Sequence, residues 1–334
     1  MTVSRRALLA AAAGLPLARP ALARATTVTI TRQPAIIYIP SVLMERGRLV
    51  EAHAAKLGVP GLTTRWVTYN GGGATTDALL AGAVDIANTG PGNMLLLWDR
   101  TRGRVKGIVA TCAQPLTLVS RDARIQSIAD YRPSDRIAVP TVKVSTQSIL
   151  LQIACVDRWG KDAAFRLDPN TVQYGHPDAM AAMLNPNGEI GSHFAAAPFQ
   201  YEELKRVPGA HVVTDSARIL GEPLSQAVMF TTAQFAEANP EVVLAVKAAT
   251  AEATAMIRDD TRAAAKIYIQ ATGDPMGEDG LMEVLRQPGM LDYFTRPQGT
   301  LRFAQHLSST GVIKTAPGAW TDYFLPVAAD LQGS

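Results

Sequence analysis

Three consecutive glycines, Gly71-Gly72-Gly73, stand near one end of the stretch 69–92, and Thr89-Gly90-Pro91 stands at the other. Glycine lets a ligand approach the backbone closely. A loop that opens a helix also offers unpaired N–H groups and a partial positive charge. The pattern predicts a site that holds a small polar ligand by its main chain, although the same glycines suit a plain turn. The side chains expected around it are Tyr38 and Ser41 at the first helix, then Gly72, Gly73 and Thr75, then Thr89, Gly90 and Pro91. Ser145 and Thr146 open a later helix, and His193 ends a strand pattern. Each also has a plainer role: a core aromatic for Tyr38, a cap for Ser145 and Thr146, a satisfied buried histidine for His193. Arg32 and Gln33 precede Tyr38; the arginine would favour an acid, the glutamine a neutral or zwitterionic group.

Nothing in the chain adds covalent chemistry to this pattern, and no catalytic residue is assigned. No G-x-S-x-G elbow occurs. Histidines 53, 176, 193, 211 and 306 have no zinc-site spacing, so neither a metal nor a cofactor is expected. Cys112 and Cys155 either pair in an oxidising compartment or stay as buried free thiols, which their apolar surroundings favour.

Strand patterns alternate with helix patterns along the chain, which points to an α/β fold with mostly parallel sheets. Val28–Thr31, Leu62–Tyr69, Val84–Ala87 and Val105–Cys112 read as strands, and Gly82 takes the left-handed cap position after the helix Thr75–Ala81. Ser41 is expected to cap a helix running to about Lys56. A second run of the same alternation follows from Leu116 to about Thr231, and from Asn239-Pro240 the pattern is almost wholly helical. The expected organisation is one lobe of residues 26–115 and 232–334 with a second lobe, 116–231, inserted into it. The chain would cross near Pro115 and near residue 231, making a hinge and an interlobe cleft, the usual place for a small ligand.

Residues 1–25 are set apart as an export signal. Arg5-Arg6 is followed by the apolar stretch Ala10–Ala18 and by small-x-small cleavage patterns around residues 23–25. The paired arginines and modest hydrophobicity resemble a twin-arginine signal. Its four arginines are offset by no acid, so their removal takes the net charge from +3 to −1. A near-neutral chain with no basic run makes nucleic acid an unexpected partner. The apolar share of 47% and charged share of 18% are those of a globular protein.

The mature chain resembles the periplasmic substrate-binding proteins of ABC importers, in the nitrate/sulfonate/taurine group that also includes thiamine-precursor binders. The resemblance is carried by Tyr38-Ile39-Pro40, by Gly71-Gly72-Gly73 with Ala78 to Ala87, by Leu118 to Arg121 and by Ile137 to Pro140. Asn239-Pro240, Tyr268 with Thr272-Gly273, and Gly311 to Lys314 with Trp320 extend it to the end of the chain. It implies a two-lobed, hinge-closing fold of type II, a small-molecule solute, ABC permease subunits as partners, a monomer and a periplasmic location. The solute class implied is a sulfonate, nitrate, taurine or a heterocycle. Enzymes on the same fold, in thiamine or menaquinone pathways, are the main alternative. The export signal counts against the menaquinone type and the lack of a cysteine cluster against the thiamine type. A ligand-sensing partner of a receptor would use the same fold.

Overall fold

The computed structural model describes residues 25–334; the expected export signal, apart from Ala25, lies outside them. The first sheet is built from β1 (Thr27–Arg32), β2 (Thr63–Thr68), β3 (Ile86–Thr89), β4 (Val105–Cys112) and β10 (Ala227–Thr232). The second holds β5 (Thr117–Ser120), β6 (Ile137–Val139), β7 (Thr171–Gln173), β8 (Ser192–Ala195) and β9 (His211–Asp215). The strand orders are β2-β1-β3-β10-β4 and β7-β6-β8-β5-β9. β1 runs parallel to β2 and β3, while β10 runs against both β3 and β4. β6 runs parallel to β7 and β8, while β5 runs against β8 and β9. Each sheet is therefore mixed, with four strands pointing one way and one against them.

The reversed strand in each sheet is the one entered by a chain crossing. β4 leaves the first sheet and β5 enters the second between Cys112 and Thr117, as the expected crossing near Pro115 requires. The return crossing differs from the expectation. β10 was expected to close the second lobe, but it pairs with β3 and β4, so the chain has already come back by Ala227. The two crossings lie side by side: Ser216 N–H donates to the Leu116 carbonyl at 2.9 Å and Gln226 N–H to the Cys112 carbonyl at 2.9 Å. A strand's sheet membership depends on such distant pairings, which a local pattern does not contain.

Strand periodicity divides the core. Leu118, Ile137, Val139 and Phe194 point into the main apolar core, which runs on beneath both sheets. Their neighbours Val119 and Ala138 point to the other face, into a smaller cluster with Ala179, Met183 and Val207. That face is covered by α6 (His176–Leu184) and α7 (Phe199–Arg206); the remaining helices that reach the site are α1 (Ile39–Gly47), α3 (Gly72–Leu80), α4 (Pro91–Arg100) and α5 (Thr146–Trp159), with α2 (Leu49–Lys56) behind α1. The single helix expected up to Lys56 is broken at Arg48, whose φ of 50° is left-handed. Gly82 is left-handed as expected, with φ of 69°, and Cys112 and Cys155 are free and buried.

Candidate functional site

A polar cavity of about 30 Å³ lies beside the two crossings, enough for about two waters. It is walled by the carboxyl ends of parallel strands from both sheets. Gln33 and Tyr38 follow β1, Gly72 follows β2, Thr89 ends β3, and Gly90 and Asn93 follow it. From the second sheet come Pro140, Ser145, Thr146 and Gln147 after β6, and His176 after β7. Leu116 and Gln226 are supplied by the two crossings themselves.

Helix starts converge here. Gly72 opens α3, Gly90 precedes α4, Ser145 caps α5 and His176 opens α6. Their first-turn N–H groups make the wall electropositive without a cation. Among the described residues no lysine, arginine, aspartate or glutamate lines the cavity. Two glycines are required by close approach. A Cβ on Gly72 would lie 2.5 Å from Asn93 Oδ1 and 2.6 Å from Thr89 Oγ1, and one on Gly90 would lie 2.3 Å from Thr146 Oγ1.

Several polar groups in the wall are already engaged. Gln33 Nε2 donates to Thr89 Oγ1 at 2.7 Å, and Ser145 Oγ accepts from Ser148 N–H at 3.3 Å as the α5 cap. Burial pushes the Tyr38 hydroxyl far above its ordinary pKa, so it stays a neutral donor. Two groups of this wall are buried and have no hydrogen-bond partner among the described residues: Thr146 Oγ1 and both amide atoms of Gln226. Buried polar atoms normally find partners. These two, one from the start of α5 and one from the return crossing, are the groups a bound polar molecule would satisfy. A larger cavity of about 440 Å³ lies between Pro240–Leu244 and Leu325–Val327, but apolar side chains line most of it and no set of polar groups converges there.

A model described as the NMT1-like family matches residues 23–271. The chain belongs to the NMT1-like family. No curated protein matches it in sequence. Among solved structures, this NMT1-like chain is similar to the alkanesulfonate-binding protein SsuA of Xanthomonas axonopodis pv. citri bound to MOPS. That likeness has a TM-score of 0.69 at 17% identity, covering 88% of this chain and 96% of that one. The periplasmic aliphatic sulphonate-binding SsuA of Escherichia coli gives 0.65 at 17% identity, covering 93% and 95%. The periplasmic nitrate-binding NrtA of Synechocystis PCC 6803 gives 0.61 at 12% identity, covering 86% and 85%. The expected fold is thus the fold of the chain: two mixed sheets flanked by helices, as in periplasmic binding proteins.

Of the residues expected from the NMT1-like sequence, Tyr38, Gly72, Thr89, Gly90, Ser145 and Thr146 come together in the cavity wall. The other five stand behind it. Ser41 lies inside α1, which begins at Ile39 with Pro40 in its first turn, and its Oγ accepts from Asn88 Nδ2 at 2.9 Å. Gly73 donates its N–H to Thr141 Oγ1 at 3.2 Å, a bond between the two sheets' loops. Thr75 is buried and donates to the Gly71 carbonyl at 3.1 Å, and Pro91 is buried in the first turn of α4. His193 pairs across the sheet with Val119 and Ala138, so it faces α6 and α7 and not the cavity.

There it meets two groups the sequence reading passed over. His193 Nδ1 is 2.6 Å from Glu203 Oε1, and its Nε2 is 2.9 Å from His176 Nδ1. All three side chains are buried. His176 Nε2 reaches the cavity wall, 3.4 Å from Gln147 Nε2. Burial, then the neighbouring His193, holds His176 well below the ordinary imidazole pKa, so it is neutral. The reading also missed Asn93, Gln147 and Gln226. His176-Pro177 had the same strand-then-proline signature as Gly90-Pro91 and was findable by it; Gln226 carries no local signal.

Proposed function

We propose that this protein is the exported solute-binding component of an ABC uptake system. The first sheet with its helices (residues 26–115 and about 222–334) forms one lobe and the inserted second sheet the other. The lobes close by a hinge at the two crossings over a small anionic or neutral polar solute, and the closed form hands it to a permease. The protein acts in the periplasm as a monomer and performs no catalysis. The observation that carries this reading is the pair of buried, unpartnered groups, Thr146 Oγ1 and the Gln226 amide, facing one cavity between the sheets. The sulfonate and nitrate binders among the structural neighbours support the solute class.

The energies suffice without a fixed cation. A helix N-terminus contributes about 0.3–1 kcal/mol toward an anion, up to about 2 when partly buried. A hydrogen bond to a charged group contributes about 1.5–3 kcal/mol. Three or four such contacts, less ordering costs, reach the roughly 8 kcal/mol of a micromolar complex.

A thermal-shift screen of the purified chain against short alkanesulfonates, nitrate, taurine and amino-pyrimidines tests the reading. A ligand at a hundredfold excess over its Kd adds about 2.7 kcal/mol of stability, which a melting curve resolves. Turnover of a substrate with no solute stabilising the protein would sink the binding-protein reading.

A further inference from the structure

The cavity at the helix starts has room for about two waters, and so for little more than the head of an organic solute. A second cavity, of about 330 Å³, shares Gln33 and Tyr38 with it as lining residues. Across from them, His176 lines the first cavity and Phe199 the second, and their rings stack with centroids 5.6 Å apart. The wall therefore continues from one cavity to the other on both sides of the seam between the two sheets' units. Gln33 stands at the divide, held there by its amide's bond to Thr89 Oγ1 at 2.7 Å.

The second cavity has a different chemistry. Tyr38, Phe199 and Tyr268 line it with their rings, together with the apolar Pro34, Ala35, Val42 and Ala271. Its charged groups do not suit an anion. Arg32 is ion-paired with Glu45, and Asp274 adds a second carboxylate. Asp274 is half-buried and Thr272 exposed, so this end opens toward solvent. Burial, then the Asp274 charge, raises the Tyr268 hydroxyl above its ordinary pKa, so it stays neutral. The first cavity is the reverse, with four helix starts and, among the described residues, no acid. An anionic group belongs in the first cavity and an uncharged ring in the second. A cavity of about 150 Å³ is enough for benzene, so the second has space for a substituted ring.

We propose that the two cavities form one two-part site and that the solute is an aromatic acid. Its anionic group satisfies Thr146 Oγ1 and the Gln226 amide at the helix starts, and its ring lies in the second cavity against Tyr268 and Phe199. The inference rests on the solute-binding reading and names the class of solute. The acid takes over the Thr89 hydroxyl from Gln33, whose side chain turns aside so that the ring passes Tyr38. A straight alkyl tail fits the same space, but it loses more rotational freedom on binding and gains nothing from the edges and faces of aromatic walls. Bare nitrate leaves the second cavity unused. Phe199 comes from the inserted unit, while Tyr38 and Tyr268 come from the first, so a ring held among them also ties the two units together.

Calorimetry of the purified chain with two acid series tests the proposal: methane-, n-hexane- and benzenesulfonate, and acetate, hexanoate and benzoate. In whichever series binds, the ring-bearing acid should bind at least about tenfold tighter than the methyl one, and tighter than the six-carbon chain. Thr68 gives a variant that reads the second cavity. It lines that cavity from the exposed end of the edge strand β2, where a larger side chain disturbs no core. Thr68→Trp should cut the advantage of the ring over the methyl acid to below about threefold. Ala271→Phe, in the last turn of the helix Thr261–Thr272, should do the same and serves if the tryptophan variant fails to fold. A methyl acid that binds as tightly as the ring, or a ring advantage that survives the filled cavity, overturns the two-part site. A six-carbon chain that equals the ring overturns the aromatic class. If neither series binds, the inference fails, and the solute screen above shows whether the solute-binding reading falls with it.

Discussion

Thr146 separates a structural role from a binding one at the level of a single atom. Its Oγ1 is buried without a partner, and such a hydroxyl costs about 1–3 kcal/mol where nothing satisfies it. Valine has nearly the same shape and no hydroxyl. Thr146→Val should leave the unliganded melting temperature unchanged or slightly higher, while solute affinity falls about tenfold or more, the worth of one hydrogen bond to a charged group. A variant that melts lower and binds as before would mark Thr146 as packing alone. His306 makes a second prediction, away from the cavity. Burial pushes its imidazole down to about 4, while the unfolded value is about 6.5. The unfolded chain therefore binds the extra proton first, and the stability held above pH 6.5 is lost as pH falls toward 4. Melting curves over that range should fall less steeply for His306→Gln than for the wild type. Thr146 was legible in the sequence because opening a helix after a strand is local. The orientation of His193 was not, because Ser192-His193-Phe194 alternates faces and only the pairing with Val119 and Ala138 fixes which face is which.

The start of α4 and the start of α5 meet as elements of different sheets. Gly90 has φ −62° and ψ 152°, a conformation open to any residue, so its side chain is excluded by space alone. A Cβ there would sit 2.3 Å from Thr146 Oγ1. Gly90→Val should thus push the two helix starts apart while leaving each sheet's own ladders intact. Overpacking of this kind costs about 1–3 kcal/mol, and solute affinity should drop well over tenfold. Pairing Gly90→Ala with Thr146→Ala should recover the lost melting temperature; calorimetry and melting curves together decide it, and unchanged binding in Gly90→Val would count against a ligand between these helices. Helices were legible within about two residues where glycine, proline or a cap marks their ends, as for Thr146–Trp159 and Pro240–Asp259. β10 was misplaced because nothing in Ala227–Thr232 says which sheet it joins; that is settled by its ladders to β3 and β4.

Across the whole molecule, the two sheets' units touch through direct hydrogen bonds as well as through the cavity. Ile36 N–H donates to the Ala197 carbonyl at 3.1 Å, and Gly73 N–H to Thr141 Oγ1 at 3.2 Å. If the sheets are lobes that must part to admit solute, a covalent tie across this seam should trap the closed arrangement. The Gly73–Thr141 contact suits one, since a Cβ on Gly73 would lie 3.5 Å from both Cγ2 and Oγ1 of Thr141. Its neighbour in a disulfide needs a Cβ separation of about 3.5–4.5 Å, within reach of a small adjustment. The native thiols will not interfere: Cys112 and Cys155 are buried, and burial pushes them up to about 12 and about 11, which suppresses the reactive thiolate. Oxidised Gly73→Cys/Thr141→Cys should therefore bind solute at least tenfold more slowly than the reduced form, and protein loaded before oxidation should release it as slowly. Dithiothreitol should restore both rates. Exchange at the wild-type rate with the disulfide demonstrably formed would mean that solute enters without the sheets separating, and the hinge at the two crossings would lose its function.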